Sequence, residues 1–170
     1  MQRSSFSDMP CSVARTLDII GEWWTLLILR DVFYGVRRFE ALRSHLGISR
    51  KVLTSRLERL TDEAILKKVL YQTHPSRYEY RLTKKGLDLL PVLLTIMNWG
   101  DQWMSEPGMP PVIFVHKDCG EETTPKLVCS GCGGDLNAHN IYPKAGPGAP
   151  SEEIERLREV SINPKLFMEE

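Results

Sequence analysis

The sequence predicts a mainly helical fold with one β-hairpin, an α+β class, followed by a small β-rich segment that contains cysteines. Three observations lead to this prediction. Apolar residues recur at helical spacing in several stretches before residue 105. Two alternating runs, residues 67–72 and 77–82, flank a short polar turn, which is the pattern of a hairpin. After residue 106, prolines and glycines interrupt the helical pattern, and two closely spaced groups of cysteine and histidine follow.

Two helices are predicted on either side of Gly21. The first begins after Pro10, with Ser12 as its N-cap. The second, residues 22–33, is apolar nearly all round. A helix of this kind is expected to be buried on most sides, so we assign it to the core.

A short helix, a tight turn and a longer basic helix are predicted next. Residues 39–46 form the short amphipathic helix, which Gly47 ends. Ile48 is expected to enter the core, and Ser49 to cap a helix over residues 50–65. One face of that helix is apolar and the other carries cations and hydroxyl groups.

The hairpin is followed by the last long helix of the domain. This helix is predicted from Thr83 to Met104, and Pro91 lies inside it. Proline lacks a backbone donor and its ring clashes with the preceding turn, so Pro91 should kink the helix or split it in two.

The predicted domain organisation follows from these elements. Residues 1–106 form the helical domain and residues 107–112 a linker rich in proline. Residues 113–142 form the cysteine-rich segment, with a strand at its start over residues 113–116. Residues 143–170 form a second linker and a short tail helix, predicted over residues 152–160.

Composition excludes several classes of protein. The apolar and charged fractions, 42% and 26%, are those of a globular protein. No apolar run approaches the roughly 18 residues that a bilayer crossing requires, so no membrane partner is expected. The first ten residues contain no apolar core of a secretory signal, and a cytoplasmic location is therefore expected.

Charge is distributed unevenly, although the formal net charge is zero. Residues 35–85 contain thirteen Lys or Arg against five Asp or Glu, whereas residues 109–170 contain six against ten. A basic middle segment is typical of proteins that face an anionic partner such as nucleic acid. A solvated charged surface is the alternative.

The order of elements is that of a winged helix-turn-helix, and it predicts that double-stranded DNA is the partner. The basic helix would enter the major groove, the hairpin tip would lie at the minor groove, and the cations before the short helix would hold phosphates. Arg59, more than two turns from the helix start, is assigned a phosphate. The predicted DNA-binding residues are Arg37, Arg38, Ser49, Arg50, Lys51, Thr54, Ser55, Arg56, Arg59, His74, Ser76 and Arg77.

The stretch from Cys11 to Trp103 contains a series of short motifs: Cys11-x-Val13, Gly21 with Trp24, Arg38-Phe39, Gly47-Ile48-Ser49, Val52-Leu53-Thr54, Arg56-Leu57, Tyr80 to Gly86 and Trp99-Gly100. With these motifs it resembles the HxlR-type family of bacterial winged-helix transcription regulators, which is related to the MarR group. The resemblance implies a homodimer in which the first and last helices pair and each basic helix enters one half of an inverted repeat. One departure is Ala64, which lies where the family usually has a glycine before the hairpin.

Cys11 is a candidate sensor. Members of this family often have a cysteine just before the first helix, and in some of them it senses oxidants or electrophiles. A helix N-terminus and a nearby Arg15 would favour the thiolate. Cys11 as a small, buried apolar residue is the alternative.

The cysteine-rich segment predicts one structural zinc ion in a zinc-ribbon-like fold. Each half has a ligand, two residues, a second ligand and a glycine, and nine residues separate the halves. Such a pair can hold one ion, and four protein ligands leave no open position for catalysis. A segment this short also lacks a core of its own. The predicted ligands are His116, Cys119, Cys129 and Cys132.

Three alternatives to this site stay open. In the first, Cys129 and Cys132 form a redox pair, although the βαβ context of thioredoxin-like sites is absent. In the second, His139 or water replaces His116 as the fourth zinc ligand. In the third, the segment is a ribbon-shaped remnant that binds no metal.

The sequence therefore predicts a transcription regulator and not an enzyme. We expect a homodimeric repressor acting on an inverted-repeat operator and responding to an oxidant, an electrophile or a small ligand. No catalytic triad, phosphate-binding loop or nucleotide fingerprint is evident. The alternatives are a thiol-disulfide redox protein that uses Cys129 and Cys132, and a protein-interaction adaptor.

Overall fold

The structure is a computed structural model that describes residues 5–6 and 8–162, with side chains as far as Arg158. The predicted outer boundaries at residues 1 and 170 lie outside these residues. The described chain divides into two compact units, residues 5–6 with 13–125 and residues 8–12 with 126–162. The division falls at residues 125 and 126, whereas the predicted linker, residues 107–112, lies inside the first unit.

The first unit begins with four helices and a hairpin. A short helix, a long helix and a pair of two-residue strands follow. The elements are α1 (Ser12–Ile20), α2 (Trp23–Phe33), α3 (Phe39–Leu46), α4 (Arg50–Asp62), β1 (Leu66–Gln72), β2 (Arg77–Leu82), α5 (Lys84–Leu87), α6 (Leu90–Met104), β3 (Phe114–Val115) and β4 (Glu122–Thr123). The second unit contains α7 (Ser151–Ile162).

The core of the first unit lies between α2, α4 and the base of the hairpin. Burial of apolar surface is worth about 25 cal/mol per Å², so a cluster of fully buried Leu and Ile side chains is the main stabilising contribution here. Ile48 is buried as predicted, and with it the turn between α3 and α4 is anchored in the core. The fully buried aliphatic side chains are Ile28, Leu29, Val32, Leu42, Leu53, Leu57, Leu60, Ile65 and Leu66.

The turns around the basic helix depend on two residues with positive φ. Gly47 follows α3 with φ 63°, a conformation that glycine adopts without steric cost. Ala64 follows α4 with φ 53°, at the position where a glycine was expected by resemblance. The predicted helix over residues 50–65 was too long: α4 ends at Asp62, because Ala64 leaves the helical conformation and Ile65 turns into the core.

The hairpin is antiparallel and has the predicted strands. Leu66 is paired with Leu82 at its base and Leu70 with Tyr78 near its tip, with a register shift between Leu70 and Gln72. The last predicted helix is split, as expected. Pro91 occupies the first turn of α6, where its missing N–H is not needed.

Two predictions of burial and extent were wrong in detail. Trp23, at the start of α2, is 88% exposed, so the all-round apolar pattern of this helix does not mean all-round burial. The strand predicted over residues 113–116 is limited to Phe114–Val115. The tail helix was confirmed, with bounds Ser151–Ile162. None of the described helices combines the length with the apolar run that a bilayer crossing requires.

Candidate nucleic-acid interface

Helix α4 begins with a side-chain cap. Ser49 has extended backbone angles, and its hydroxyl oxygen accepts a hydrogen bond from the backbone N–H of Val52 at 3.3 Å. The cap satisfies one of the free donors of the first turn, and the others point out of the helix end. The start of α4 is therefore fixed in place and presents N–H groups suited to a phosphate.

The side of α4 opposite the core carries a cation in its first turn and carboxylates further along. Lys51, Ser55, Glu58 and Asp62 are all exposed and follow helical spacing on the side opposite the core. Thr54 is half-buried at the edge of this face. Glu58 was not among the predicted residues, although the same helical periodicity places it on this face. Base contacts of a recognition helix are made by its N-terminal residues, so the carboxylates of Glu58 and Asp62, further along, do not oppose them.

Arg50 is held by α3. Its guanidinium forms an ion pair with Glu40 and lies 5.1 Å from the centre of the Phe39 ring. Both contacts lie at the surface, where an ion pair is worth at most about 1 kcal/mol. A phosphate or a base edge can therefore compete for this side chain.

Arg56 and Arg59 are directed towards α1 and the turn that follows it. Arg56 has a side chain only 20% exposed, lies 3.1 Å from the Glu22 carboxylate, and has a buried Nε without a hydrogen-bond partner. Arg59 lies 3.1 Å from Glu63 and 3.7 Å from Asp18. With Ser55, the two arginines line a shallow polar hollow. Their predicted contacts with DNA stay predictions.

Arg37 and Arg38 belong to the wing. The backbone oxygen of Arg37 accepts a hydrogen bond from the N–H of Tyr80 at 2.8 Å, and Arg38 forms an isolated β-bridge with Glu79. The Arg38 guanidinium lies 4.3 Å from the centre of the Tyr71 ring. The segment before α3 therefore pairs with the hairpin as a very short third strand. The sequence did not predict this pairing, because a single bridge has no alternating pattern.

The hairpin tip is exposed. The residues from Thr73 to Tyr78 all face solvent, among them His74, Ser76 and Arg77. The Ser76 hydroxyl donates to the backbone oxygen of Thr73, which closes the turn. Further back, burial and the nearby Glu58 carboxylate raise the pKa of Tyr80. The wing thus keeps a hydrogen-bonded base and an open polar tip.

Asp31 was missed by sequence reasoning and connects α2 to α3. Its side chain is fully buried. One carboxylate oxygen accepts two hydrogen bonds from Arg30, and the other lies 2.6 Å from Nδ1 of His45. The only sequence signal was an Asp inside an apolar helix. Since His45 is on α3, this contact holds the helix that positions α4.

Comparisons with known proteins agree with a helix-turn-helix formed by α3 and α4. Residues 19–107 match the family described as HxlR-like helix-turn-helix. The chain belongs to this family. Within it, an HTH-type transcriptional regulator of Mycobacterium tuberculosis strain H37Rv is 46% identical over 137 residues, which are 81% of this chain and 87% of the relative. This HxlR-like chain is therefore a transcription regulator with a DNA-binding helix-turn-helix.

Solved structures confirm the mainly helical winged fold. The crystal structure of PA1607, a candidate transcription factor, has a TM-score of 0.75 and 33% identity, covering 84% of this chain and all of that one. The redox regulator HypR in its oxidised form has a TM-score of 0.51 and 32% identity, covering 54% of this chain and 96% of that one.

The predicted sensor and metal ligands lie outside the winged helix. Cys11 is exposed just before α1, and its role as a sensor stays a prediction. His116 and Cys119 belong to the first unit, and Cys129 and Cys132 to the second. Among the described residues, no group of three or more His, Cys, Asp or Glu is placed to hold a metal ion. The zinc site stays a prediction.

Proposed function

We propose that this HxlR-like regulator is a homodimeric repressor that binds an inverted-repeat operator through α4 and the hairpin tip. The observation that carries the proposal is the Ser49-capped helix start, where Arg50, Lys51 and Ser55 are exposed in the first two turns. Long cations and a hydroxyl at this position match the donors and acceptors of the major groove. The exposed Arg77 at the hairpin tip suits the electronegative minor groove.

The apolar surface of α1 and α6 supports the dimer. Val13 and Leu17 are exposed on α1, and Ile96, Trp99 and Trp103 are exposed on α6. On α6 these three share one face at helical spacing. Large apolar patches on a globular protein usually mark an interface. Pairing of these faces between two copies would set two α4 helices for successive major grooves.

The operator experiment combines selection with a matched pair of variants. Fragments of genomic DNA bound by the wild-type protein would be sequenced, and an inverted repeat is expected. Lys51→Ala should weaken binding to the selected site by about 1–3 kcal/mol if the side chain reads a base, or reduce the salt slope by about 1 if it holds a phosphate.

Lys144→Ala is the control, because it removes the same charge from an exposed position in the second unit. It should bind like the wild type. A Lys51→Ala protein that binds with wild-type affinity and salt dependence would contradict the proposed interface.

We propose Cys11 as the residue that makes the regulator sensitive to oxidants. It is exposed, and it lies next to α1, one of the two helices of the proposed dimer. A change at this thiol would therefore reach the spacing of the two α4 helices. Oxidant treatment should release the wild-type protein from its operator but leave Cys11→Ser bound, as a fluorescence anisotropy titration would measure. Equal release of both proteins would show that another group responds.

A further inference from the structure

A cavity lies beside the second half of α6, and it belongs to the first unit alone. Its volume is about 310 Å³, and all the described residues that line it fall between Leu94 and Pro125. Helix α6 forms one wall, and the chain from Glu106 to Phe114 forms another. Small-molecule sites in proteins usually occupy about 300–1,000 Å³, so the cavity has room for a small organic molecule.

Apolar side chains form much of the lining. Leu94 and Met97 belong to α6, and Val112, Ile113 and Phe114 belong to the segment that follows it. Ile113 is 54% exposed and Val112 is 38% exposed, so this apolar surface is not covered by the fold itself. Apolar side chains gathered around a concave surface favour a ligand that removes them from water. The ligand is therefore expected to have an apolar body.

The charged groups of the lining are acidic. Asp101 and Glu106 line the cavity, and the described lining residues include no Lys, Arg or His. In the part of the chain that the structure describes, neither carboxylate forms an ion pair. Asp101 is half-buried on α6 whereas Glu106 is exposed, so water and salt screen Asp101 less. A protonated amine is a group that forms a strong, charge-assisted hydrogen bond with such a carboxylate.

Tyr34 connects the cavity to the end of α2. It is the C-cap of α2, its hydroxyl donates a hydrogen bond to the Met97 sulfur at 3.7 Å, and its ring centre lies 6.4 Å from that of Phe114. Burial raises the pKa of Tyr34, and the charge of Asp101 acts in the same direction, so the hydroxyl stays a donor. Three residues on, Arg37 is hydrogen-bonded to the hairpin. A ligand between Met97 and Phe114 would therefore contact side chains that are linked to the wing.

The cavity and the proposed dimer face lie on opposite sides of α6. Asp101 precedes Trp103 by two residues, and two residues turn an α-helix by about 200°. Pairing through Ile96, Trp99 and Trp103 would therefore leave the cavity side of α6 uncovered. A ligand in the cavity would contact α6 from behind the interface.

We propose that this cavity binds a small molecule with an apolar body and a protonated amine, with the amine at Asp101, and that this molecule is an effector of the regulator. The effector role rests on the proposed DNA-binding dimer, because it requires α6 to set the spacing of the two α4 helices. Binding in the cavity does not depend on DNA.

Calorimetry with two matched probes tests the site. Naphthylmethylamine, which is protonated at neutral pH, and the uncharged naphthylmethanol would each be titrated into the full-length chain. The amine should bind at least about tenfold more tightly, because a hydrogen bond to a charged group is stronger than one between neutral groups. Asp101→Asn should remove this preference, whereas Asp62→Asn, which removes an exposed carboxylate of α4 outside the cavity, should keep it. Equal affinities in the wild type, no binding of the amine, or a preference retained in Asp101→Asn would overturn the site.

Methionine methyl NMR locates the bound amine without relying on a carboxylate variant. Met97 lines the cavity, whereas Met104, on the same helix, is 79% exposed and is not among the lining residues. With isotope-labelled methionine methyl groups, the amine should shift the Met97 signal and leave the Met104 signal in place. Met97→Leu and Met104→Leu would assign the two signals. A shift of Met104 without one of Met97 would place the amine elsewhere and contradict the proposal.

The effector role is tested on the selected operator by fluorescence anisotropy. Saturating naphthylmethylamine should change the operator affinity of the wild type by at least about fivefold, and should leave that of Asp101→Asn unchanged. A wild-type chain that binds both the amine and the operator, but with no change in operator affinity, would overturn the effector role. A chain that binds the amine but no operator would instead contradict the proposed function, and the effector role with it, while the calorimetry would still support the site.

Discussion

At the scale of single residues, Asp31 is the buried charge on which the placement of α3 depends. Its carboxylate is fully buried and has Arg30 on one oxygen and His45 on the other. Hydrogen bonds to a charged group are worth about 1.5–3 kcal/mol, against about 0.5–1.5 kcal/mol for neutral ones. The Asp31→Asn change keeps the shape but removes the charge, so it should lower the free energy of unfolding by about 1–2 kcal/mol in a urea titration.

Asp62→Asn is the matched control for this change. Asp62 is exposed at the end of α4, and its replacement should change the stability by less than about 0.5 kcal/mol. If Asp31→Asn were no more destabilising than Asp62→Asn, the buried carboxylate would not be what holds α2 and α3 together.

The cations of α4 show which side-chain contacts a sequence can predict and which it cannot. Helical spacing correctly predicted that Lys51 and Ser55 face outward, because the period is a local property. It could not show that Glu22, 34 residues earlier, lies against Arg56. Whether a cation is free or paired depends on tertiary contacts, so a list of basic residues overestimates the free charge of a surface.

At the scale of elements, local chemistry predicted most of the fold. The hairpin strands, the cap at Ser49, the turn at Gly47 and the split at Pro91 each follow from one or two residues with strict backbone preferences. The C-terminus of α4 could not be predicted in this way, because Ala64 has no preference for a positive φ. Packing of Ile65 and Leu66 into the core holds Ala64 in this conformation. The weakly specified ends of elements were therefore the ones placed wrongly.

At the scale of the whole molecule, the apolar face of α6 predicts that the protein acts as a dimer. Ile96 is 47% exposed and lies between Val92 and Trp99 on this face. A carboxylate there would have to be desolvated on pairing, which costs several kcal/mol without a partner charge. Ile96→Glu should therefore sediment as a monomer where the wild type sediments as a dimer. Gln102→Glu, which adds the same charge to an exposed position of α6, should stay dimeric.

Dissociation of the dimer by Ile96→Glu should also weaken DNA binding, although α4 and the hairpin tip of each protomer are unchanged. Two linked recognition helices gain about 10²–10⁴ in affinity over one, because the second contact is intramolecular. Ile96→Glu should lose a factor in this range on the full operator but bind a single half-site as the wild-type protomer does. A monomeric variant with wild-type affinity for the full operator would show that one protomer is enough, and the inverted-repeat arrangement would then have to be abandoned.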